Sequence, residues 1–303
     1  HYTHPLGILP LREAIAENIR TYGGTDYAAD EIMVTPGGQQ GMFVIALSLL
    51  DPGDEILVPC PGYNPYQQAA ELSDAAIVKI PMSMETNFTL TAEMVEAHVT
   101  PKSKILVLIN PNNPTGTVTP PEEVRRIAEV AKKHDLIVIS DEIYARLTFG
   151  NNTVLPVAAL PDMKERTITL SGFSKAYAMT GWRIGYLAGP RALIEPMGEV
   201  NHALAISTAA VSQHAALAAV SGPQDCVEEM RRLYDARRRT ICDGLDAIGM
   251  AYAEPQGAFY VYADVSSLGL GIAAGAFCER LLAEGQVMMY PGTIYGDYTD
   301  DFV

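Results

Sequence analysis

Short apolar segments alternate along the chain with longer segments whose apolar residues recur at helical spacing. Six of the short segments predict strands, because they are rich in Ile, Val and Leu and apolar on both faces, as buried parallel strands are. Helical patterns lie between them, and two of these are clear. The alternation predicts an α/β fold with a largely parallel sheet. The predicted strands are Glu55–Pro59, Ile77–Pro81, Lys104–Asn110, Leu136–Ser140, Thr167–Leu170 and Ile184–Ala188, and the two helices are Gly38–Leu50 and Pro121–His134.

The pattern changes near Ser221-Gly222-Pro223. A long charged helix is predicted after this point, over Cys226–Ile248, followed by a strand over Gly257–Tyr262. We therefore expect a large domain at residues 1–222 and a smaller C-terminal domain, which is incomplete, at residues 223–303.

Composition and charge exclude several functions. The chain has 303 residues, 48% of them hydrophobic, which is ample for a large buried core. Its 36 acidic residues outnumber its 21 basic ones, and the net charge of -15 would repel a nucleic acid backbone. No apolar run is long enough to span a bilayer, so no membrane partner is expected. The four cysteines are scattered and the histidines lack metal-ligand spacing, which favours a reducing, cytoplasmic compartment and no metal.

The segment Ser171–Gly185 holds a lysine and an arginine between two predicted strands. Small residues surround Lys175, so its amine can be approached closely. A lysine in a sheltered loop can lose its proton and attack an aldehyde, and Arg183 could clamp a phosphate. A surface lysine beside a salt-bridging arginine is the other interpretation of these residues taken alone.

Asp141 follows a predicted strand, at the end where open α/β sheets place their ligands. A carboxylate buried there needs a cationic partner, and a protonated pyridine nitrogen would serve. Tyr144 comes three residues later and could point its phenol the same way. Asp141 could equally be the cap of a helix that opens at Asp-Glu.

Three further segments occupy strand ends or helix starts. Asn113 lies in a tight Asn-Pro-Asn-Asn-Pro-Thr-Gly loop directly after a strand, although loop geometry alone could explain its prolines and glycine. Gly38 and Gln39 begin a helix, where free N–H groups bind phosphate well, or they form an ordinary glycine-rich helix start. Tyr63 could stack on a flat heterocycle or be a core or rim tyrosine.

These segments, in this order, resemble the class I/II aminotransferases of pyridoxal phosphate (PLP) fold type I. The resemblance is carried by Asn-Pro-Thr-Gly, then Asp-Glu-Ile-Tyr, then Ser-Lys followed by Trp-Arg-Ile-Gly, and it extends from Tyr2-Thr3 to Tyr295-Gly296. It is closest to the bacterial aspartate and aromatic aminotransferases. It implies a three-layer α/β/α large domain with a mostly parallel seven-stranded sheet and a smaller α+β domain. It also implies a ping-pong transfer of an amino group from an L-amino acid to a 2-oxo acid.

The resemblance also implies roles for single residues. Lys175 would bind PLP as an aldimine and later move the substrate proton, and Asp141 would keep the pyridine nitrogen protonated. Asn113 and Tyr144 would hydrogen-bond the ring oxygen, and Tyr63 would stack on the ring. The phosphate would be held by the residues Gly38, Gln39, Ser174 and Arg183, together with Tyr2 of the neighbouring subunit in a homodimer.

Two expected parts of the family pattern fall outside the chain. They are an N-terminal arm ahead of His1 and, just after Val303, an arginine that binds the substrate carboxylate. We therefore expect a chain truncated at both ends, which binds PLP and turns over substrate poorly. Two other functions stay open: another fold type I enzyme such as a β-lyase, and the PLP-binding effector domain of a transcription regulator.

Overall fold

Seven strands form one sheet in the structure, a computed structural model that describes residues 1–303. The spatial order is β1-β7-β6-β5-β4-β2-β3. Strand β7 runs antiparallel to both of its neighbours, and all other pairs are parallel. The strands are β1 (Ile32–Thr35), β2 (Glu55–Cys60), β3 (Ala76–Pro81), β4 (Ser103–Ile109), β5 (Ile137–Asp141), β6 (Thr167–Gly172) and β7 (Gly185–Ala188).

Helices cover both faces of this sheet, and a smaller α+β unit follows it in the chain. The helices packed with the sheet are α1 (Leu9–Gly23), α2 (Gly38–Leu49), α3 (Pro65–Glu71), α4 (Ala92–His98), α5 (Pro121–Lys133), α6 (Arg191–Ala205) and α7 (Ala210–Ser221). The unit that follows contains α8 (Asp225–Ile248), the antiparallel pair β8 (Ala251–Tyr252) and β9 (Ala263–Asp264), and α9 (Ala274–Gly285). No helix combines the length and the apolar character needed to cross a membrane.

The period of two along each strand divides the core into layers. In β4, Ile105, Val107 and Ile109 pack with α2, α3 and α6, whereas Leu106 and Leu108 pack with α4 and α5. Both faces of the sheet are therefore shielded from water by helices, which explains why these strands are apolar throughout. The predicted α/β fold with a three-layer arrangement and a mostly parallel seven-stranded sheet is confirmed.

Most of the predicted elements are present, with ends that differ by one or two residues. All six predicted strands overlap observed ones, and the two helices predicted in the large domain begin at Gly38 and Pro121 as expected. The seventh strand, β1, was not predicted, because a four-residue apolar run gives little periodicity to recognise.

The strand predicted over Gly257–Tyr262 is wrong. Ala258 has a positive φ of 59°, and the chain turns at residues 258–259 instead of extending. The backbone amides of Gly257 and Ala258 donate to the carbonyls of Gly116 and Leu147, which lie in loops of the large domain. Tertiary contacts therefore shape this segment, and they direct Phe259 and Tyr260 towards the carboxyl edge of the sheet.

The predicted domain boundary at residues 222 and 223 lies in the connection between α7 and α8. After it, a separate small core forms around Met250, Val265, Ala274 and Cys278. The division of the chain into two domains at this point stays a prediction.

Candidate active site

A cavity of about 260 Å³ lies at the carboxyl edge of the sheet. Nine of the ten residues predicted for the site line it, and the exception is Tyr2. The nine are Gly38, Gln39, Tyr63, Asn113, Asp141, Tyr144, Ser174, Lys175 and Arg183. The other lining residues are Met42, Ile109, Ile143, Leu170, Thr180 and Tyr260.

The strand directions explain why residues from distant segments meet there. Strands β2, β4, β5 and β6 are parallel, so the loops that follow them open at one edge. The antiparallel β7 begins where β6 ends, since Gly185 pairs with Gly172, and Arg183 therefore precedes β7 at the same edge. Strand β1 ends beside Gly185 and leads into α2, which brings Gly38 to this edge as well.

Asp141 is the last residue of β5 and is only 2% exposed. Its side chain lies on the same face as Ile139, two residues earlier, and so points towards the α2 and α3 layer. The Tyr66 hydroxyl donates to its Oδ2 at 2.7 Å, and the Ile143 amide donates to its Oδ1 at 3.2 Å. Burial raises the pKa of Asp141 to about 6, against the opposing effect of these donors and of Lys175.

Asp141 is not a helix cap, although that alternative was open on the sequence. The residues after it form turns, and its hydrogen bond to the Ile143 amide closes one of them. The side chain is therefore held in place for the cavity and does not serve a helix.

Lys175 is half-buried in the loop after β6. Burial lowers the pKa of its amine, and the positive charge of Arg183 lowers it further, while Asp141 acts in the opposite direction. The ammonium lies 5.1 Å from the ring centre of Phe259 and 5.5 Å from that of Tyr144. An amine in this setting gives up its proton more readily than an exposed one, which is what a nucleophilic lysine requires.

Two phenols form the wall beside Lys175. The hydroxyl oxygens of Tyr144 and Tyr260 are 2.6 Å apart, and their rings meet edge to face at 5.6 Å. Burial raises the pKa of Tyr144 far above its usual range and that of Tyr260 to about 12. Both groups therefore stay protonated at neutral pH, and the hydroxyl that accepts in this pair keeps its own proton free to donate into the cavity.

Asn113 is 7% exposed, and its side-chain oxygen is buried without a hydrogen-bond partner. Buried amides are almost always satisfied, so an unpaired one in a cavity wall indicates a place for a polar ligand group. The tight loop between β4 and α5 holds the residue at this point.

An anion-binding group forms where α2 begins. No side chain caps the amide groups of its first turn, which Gly38 and Gln39 open. Gly37 has a positive φ of 83°, and a Cβ atom there would lie 2.5 Å from Nη2 of Arg183. Arg183, which precedes β7 in a left-handed conformation, forms no ion pair, and its Nη1 donates to the Thr180 carbonyl at 3.1 Å. Uncapped helix amides and a guanidinium without an acidic partner together suit a phosphate.

Tyr2 lies away from this cavity, with 79% of its surface exposed. The residue next to it is anchored, because Thr3 is bonded through its amide to Ser207 and through its hydroxyl to Gln213. The backbone at Tyr2 is thus tethered to α7 while its ring extends into solvent.

Comparison with known proteins assigns the chain to a protein family. The family model described as aminotransferase class I and II matches residues 1–301. The chain belongs to this family. It is 39% identical to an aspartate aminotransferase of Musicola paradisiaca, over 98% of this chain and 74% of that protein. It is 36% identical to aromatic-amino-acid aminotransferase 2 of Thermococcus litoralis, over 100% and 78%.

Solved structures of the family share the fold of this aminotransferase. An aromatic aminotransferase from Pyrococcus horikoshii superposes with a TM-score of 0.97 at 36% identity, and the match covers 100% of this chain and 82% of that one. The seven-stranded sheet is thus that of PLP fold type I. The protein is a PLP-dependent aminotransferase, which transfers an amino group between amino acids and 2-oxo acids.

The walls of the cavity fit PLP group by group. The free amides and guanidinium at α2 match a phosphate, the buried Asp141 matches a ring nitrogen that carries a proton, and the unpaired oxygen of Asn113 lies among the polar groups of the wall. Lys175 presents an amine of lowered pKa to the same space.

Sequence reasoning missed Tyr66 and Tyr260. Tyr66 follows Tyr63 at a spacing of three, which is a weak signal that both begin one helix and lie on the same side. Tyr260 comes from a segment that was predicted as a strand, so no signal pointed it towards the cavity. The apolar lining residues, such as Met42 and Leu170, belong to ordinary core patterns.

Proposed function

We propose that Lys175 is the residue to which this aminotransferase attaches PLP, and that the same amine later moves the proton at the substrate Cα. The single observation that carries this proposal is that Lys175, Asp141, Tyr144, Asn113 and Arg183, from three separate segments of the chain, line one cavity. When bound, PLP supplies an electron sink for the negative charge that develops at Cα. The other residues hold the cofactor in place and adjust its charge.

Asp141 is proposed to keep a proton on the pyridine nitrogen of the cofactor. Its carboxylate is buried, and the Lys175 amine is the cation whose charge acts on it. A cationic ring nitrogen would supply the partner that a buried carboxylate needs. The same pairing would keep the ring electron-poor, which favours loss of the Cα proton.

The hydroxyl of Tyr144 and the amide of Asn113 are proposed to hydrogen-bond the ring oxygen. Tyr144 stays protonated, and when it accepts the short hydrogen bond from Tyr260 its own proton is free to be donated to the ring oxygen. Tyr63, half-buried after β2, is proposed to stack on the ring.

The phosphate is proposed to lie at the start of α2, on the amides of Gly38 and Gln39. Ser174 and Arg183, which has no acidic partner, would complete this site. The charges of the helix N-terminus and of the guanidinium both favour an anion there.

The substrates are proposed to be acidic or aromatic amino acids and the corresponding 2-oxo acids, because the named relatives act on aspartate and on aromatic amino acids. A panel of amino acids mixed singly with the cofactor-loaded protein tests this. The spectrum should change to that of the amine form of the cofactor, and 2-oxoglutarate should reverse it. Release of ammonia and pyruvate would instead indicate a β-lyase.

A homodimer with shared sites is proposed, in which Tyr2 reaches the phosphate bound by the neighbouring subunit. The exposed ring and the tethered backbone of this segment support that role. A reducing, cytoplasmic compartment is proposed as well, since the protein carries the free thiols Cys60, Cys226, Cys242 and Cys278.

The replacement Lys175→Ala tests the central proposal. Treatment with borohydride should fix PLP to the wild-type protein and to a Lys164→Ala control, whose lysine lies outside the cavity and pairs with Glu31. The Lys175→Ala protein should show neither the absorbance of attached PLP nor its fixation. Persistence of the fixed cofactor in that variant would refute the role of Lys175.

A further inference from the structure

Tyr66 is a buried tyrosine in the first turn of α3. Its hydroxyl is hydrogen-bonded to one residue of the cavity wall, Asp141. Only 2% of the surface of Tyr66 is exposed, and Tyr66 is not among the residues that line the cavity. Its ring packs in the core between α2, α3 and the sheet. Its hydroxyl lies at the edge of this apolar core and donates a hydrogen bond to Oδ2 of Asp141 at 2.7 Å.

The two donors on Asp141 fix the rotation of its carboxyl group. The Ile143 amide donates to Oδ1 and the Tyr66 hydroxyl donates to Oδ2, so neither oxygen is without a protein partner. Burial and the negative charge of Asp141 raise the pKa of Tyr66 well above its usual value. The phenol therefore keeps its proton, and it acts on this carboxylate only as a donor.

We propose that Tyr66 is a positioning residue for amino-group transfer, which orients the Asp141 carboxylate and keeps it ionised. The inference rests on the role proposed above for Asp141 as the partner of the ring nitrogen. A carboxyl group that has taken up its own proton cannot hold one on that nitrogen. Tyr66 would thus act on the cofactor through Asp141, without touching it.

The surroundings of Asp141 make the donor from Tyr66 important. The titratable groups that face the carboxylate are the phenols of Tyr63, Tyr66, Tyr144 and Tyr260, the carboxyl of Glu142 and the amine of Lys175. Lys175 alone among them is cationic, and its amine is the group proposed to bind the cofactor covalently. Burial favours the protonated carboxyl, and the hydrogen bond from Tyr66 is the largest of the effects that oppose it.

The replacement Tyr66→Phe removes one oxygen atom and keeps the ring in the core. The carboxyl of Asp141 in the cofactor-free protein, followed by carbon-13 NMR of labelled aspartate, should titrate about one pH unit higher than in the wild type. In the loaded enzyme kcat should fall about ten-fold, with little change in KM for the amino acid. A matched control is Tyr262→Phe, which removes the hydroxyl of another buried tyrosine, one without a hydrogen-bond partner. It should change neither quantity.

A double-mutant cycle with Asp141→Asn separates this inference from the function on which it rests. If Tyr66 acts through Asp141, Tyr66→Phe should cause no further loss of kcat in the Asp141→Asn background. An equal loss in both backgrounds, or an unshifted Asp141 titration in Tyr66→Phe, would overturn the role of Tyr66 alone. Normal turnover of Asp141→Asn itself would overturn the proposed role of Asp141, and that of Tyr66 with it.

Discussion

At the scale of single residues, two adjacent carboxyl groups at the end of β5 have different environments. Asp141 faces the cavity with donors on both oxygens, whereas Glu142 lies on the opposite side of the sheet edge and is bonded only by the Ser140 hydroxyl, at 2.8 Å. Burial raises the pKa of Glu142 to about 7, and the charge of Asp141 contributes. Folding therefore disfavours the ionised form of Glu142, and this residue does not line the cavity.

Removing the charge of Glu142 should stabilise the protein at alkaline pH. Because its pKa is raised on folding, from 4.5 to about 7, its favourable contribution is present below pH 4.5 and is lost as the pH rises through 7. Glu142→Gln lacks this loss. At pH 8 the variant should therefore unfold with a free energy about 1–2 kcal/mol higher than the wild type, and at pH 4.5 the two should coincide.

Urea unfolding of the cofactor-free protein at several pH values measures this difference, since bound PLP would add its own stabilisation. Glu71→Gln, at an exposed position, is the control and should match the wild type throughout. A Glu142→Gln variant no more stable than the wild type at pH 8 would show that the carboxyl group is adequately solvated.

At the scale of secondary-structure elements, the proposed phosphate site depends on how closely β7 approaches α2. A Cβ atom on Gly185 would lie 2.6 Å from the amide nitrogen of Gly38 and 3.1 Å from the carbonyl oxygen of Ser171. Only a glycine allows this contact between backbones. The close approach places Arg183, two residues earlier, beside the free amides of the helix.

The replacement Gly185→Ala should therefore damage both stability and cofactor binding. Separating β7 from α2 should lower the free energy of unfolding by about 1–3 kcal/mol, as overpacking does elsewhere. It should also weaken the affinity for PLP, because the helix amides and Arg183 would move apart. Equilibrium unfolding and fluorescence titration with PLP measure the two effects.

Gly244→Ala is the matched control for this prediction. Gly244 lies inside α8, where an added Cβ would meet no atom within 4 Å. Alanine there should leave PLP affinity unchanged and stabilise the helix by about 0.5–1 kcal/mol. Equal behaviour of the two variants would mean that the contact between β7 and α2 does not control the site.

At the scale of the whole molecule, the proposed homodimer makes each site depend on two subunits. Lys175 would come from one subunit and Tyr2 from the other, which agrees with the exposure of Tyr2 and with its not lining the cavity of its own subunit. Subunits with different defects can therefore repair each other. A monomeric site offers no such repair.

Hybrid dimers of a Tyr2→Phe subunit and a Lys175→Ala subunit should contain one native site. The Lys175→Ala parent should attach no PLP, and the Tyr2→Phe parent should bind it about ten-fold more weakly than the wild type, through loss of a hydrogen bond to phosphate. In the hybrid, isolated with two different affinity tags, half of the sites should bind with wild-type affinity. A hybrid that binds only as weakly as the Tyr2→Phe parent would contradict the shared site.

Much of the fold and most of the candidate site were predictable from the sequence for local reasons. Buried parallel strands are apolar on both faces, so β2 to β7 stood out, and the residues that follow such strands lie at one edge. Nine of the ten predicted site residues line the cavity because each follows a strand or begins a helix there. Their chemistry was visible because the residue types are unusual at these positions.

The sequence by itself determined the α/β class, the family and the lysine proposed to carry the cofactor, since these depend on local pattern and on motifs in order. Only the tertiary structure decided that Tyr66 donates to Asp141, that Tyr260 pairs with Tyr144, and that the chain turns at residues 258–259 where a strand was predicted. The two hydroxyl pairings join residues 75 and 116 positions apart, and the turn depends on hydrogen bonds to Gly116 and Leu147. The periodicity of the sequence does not predict such contacts, because the packing of the layers determines which group each hydroxyl meets.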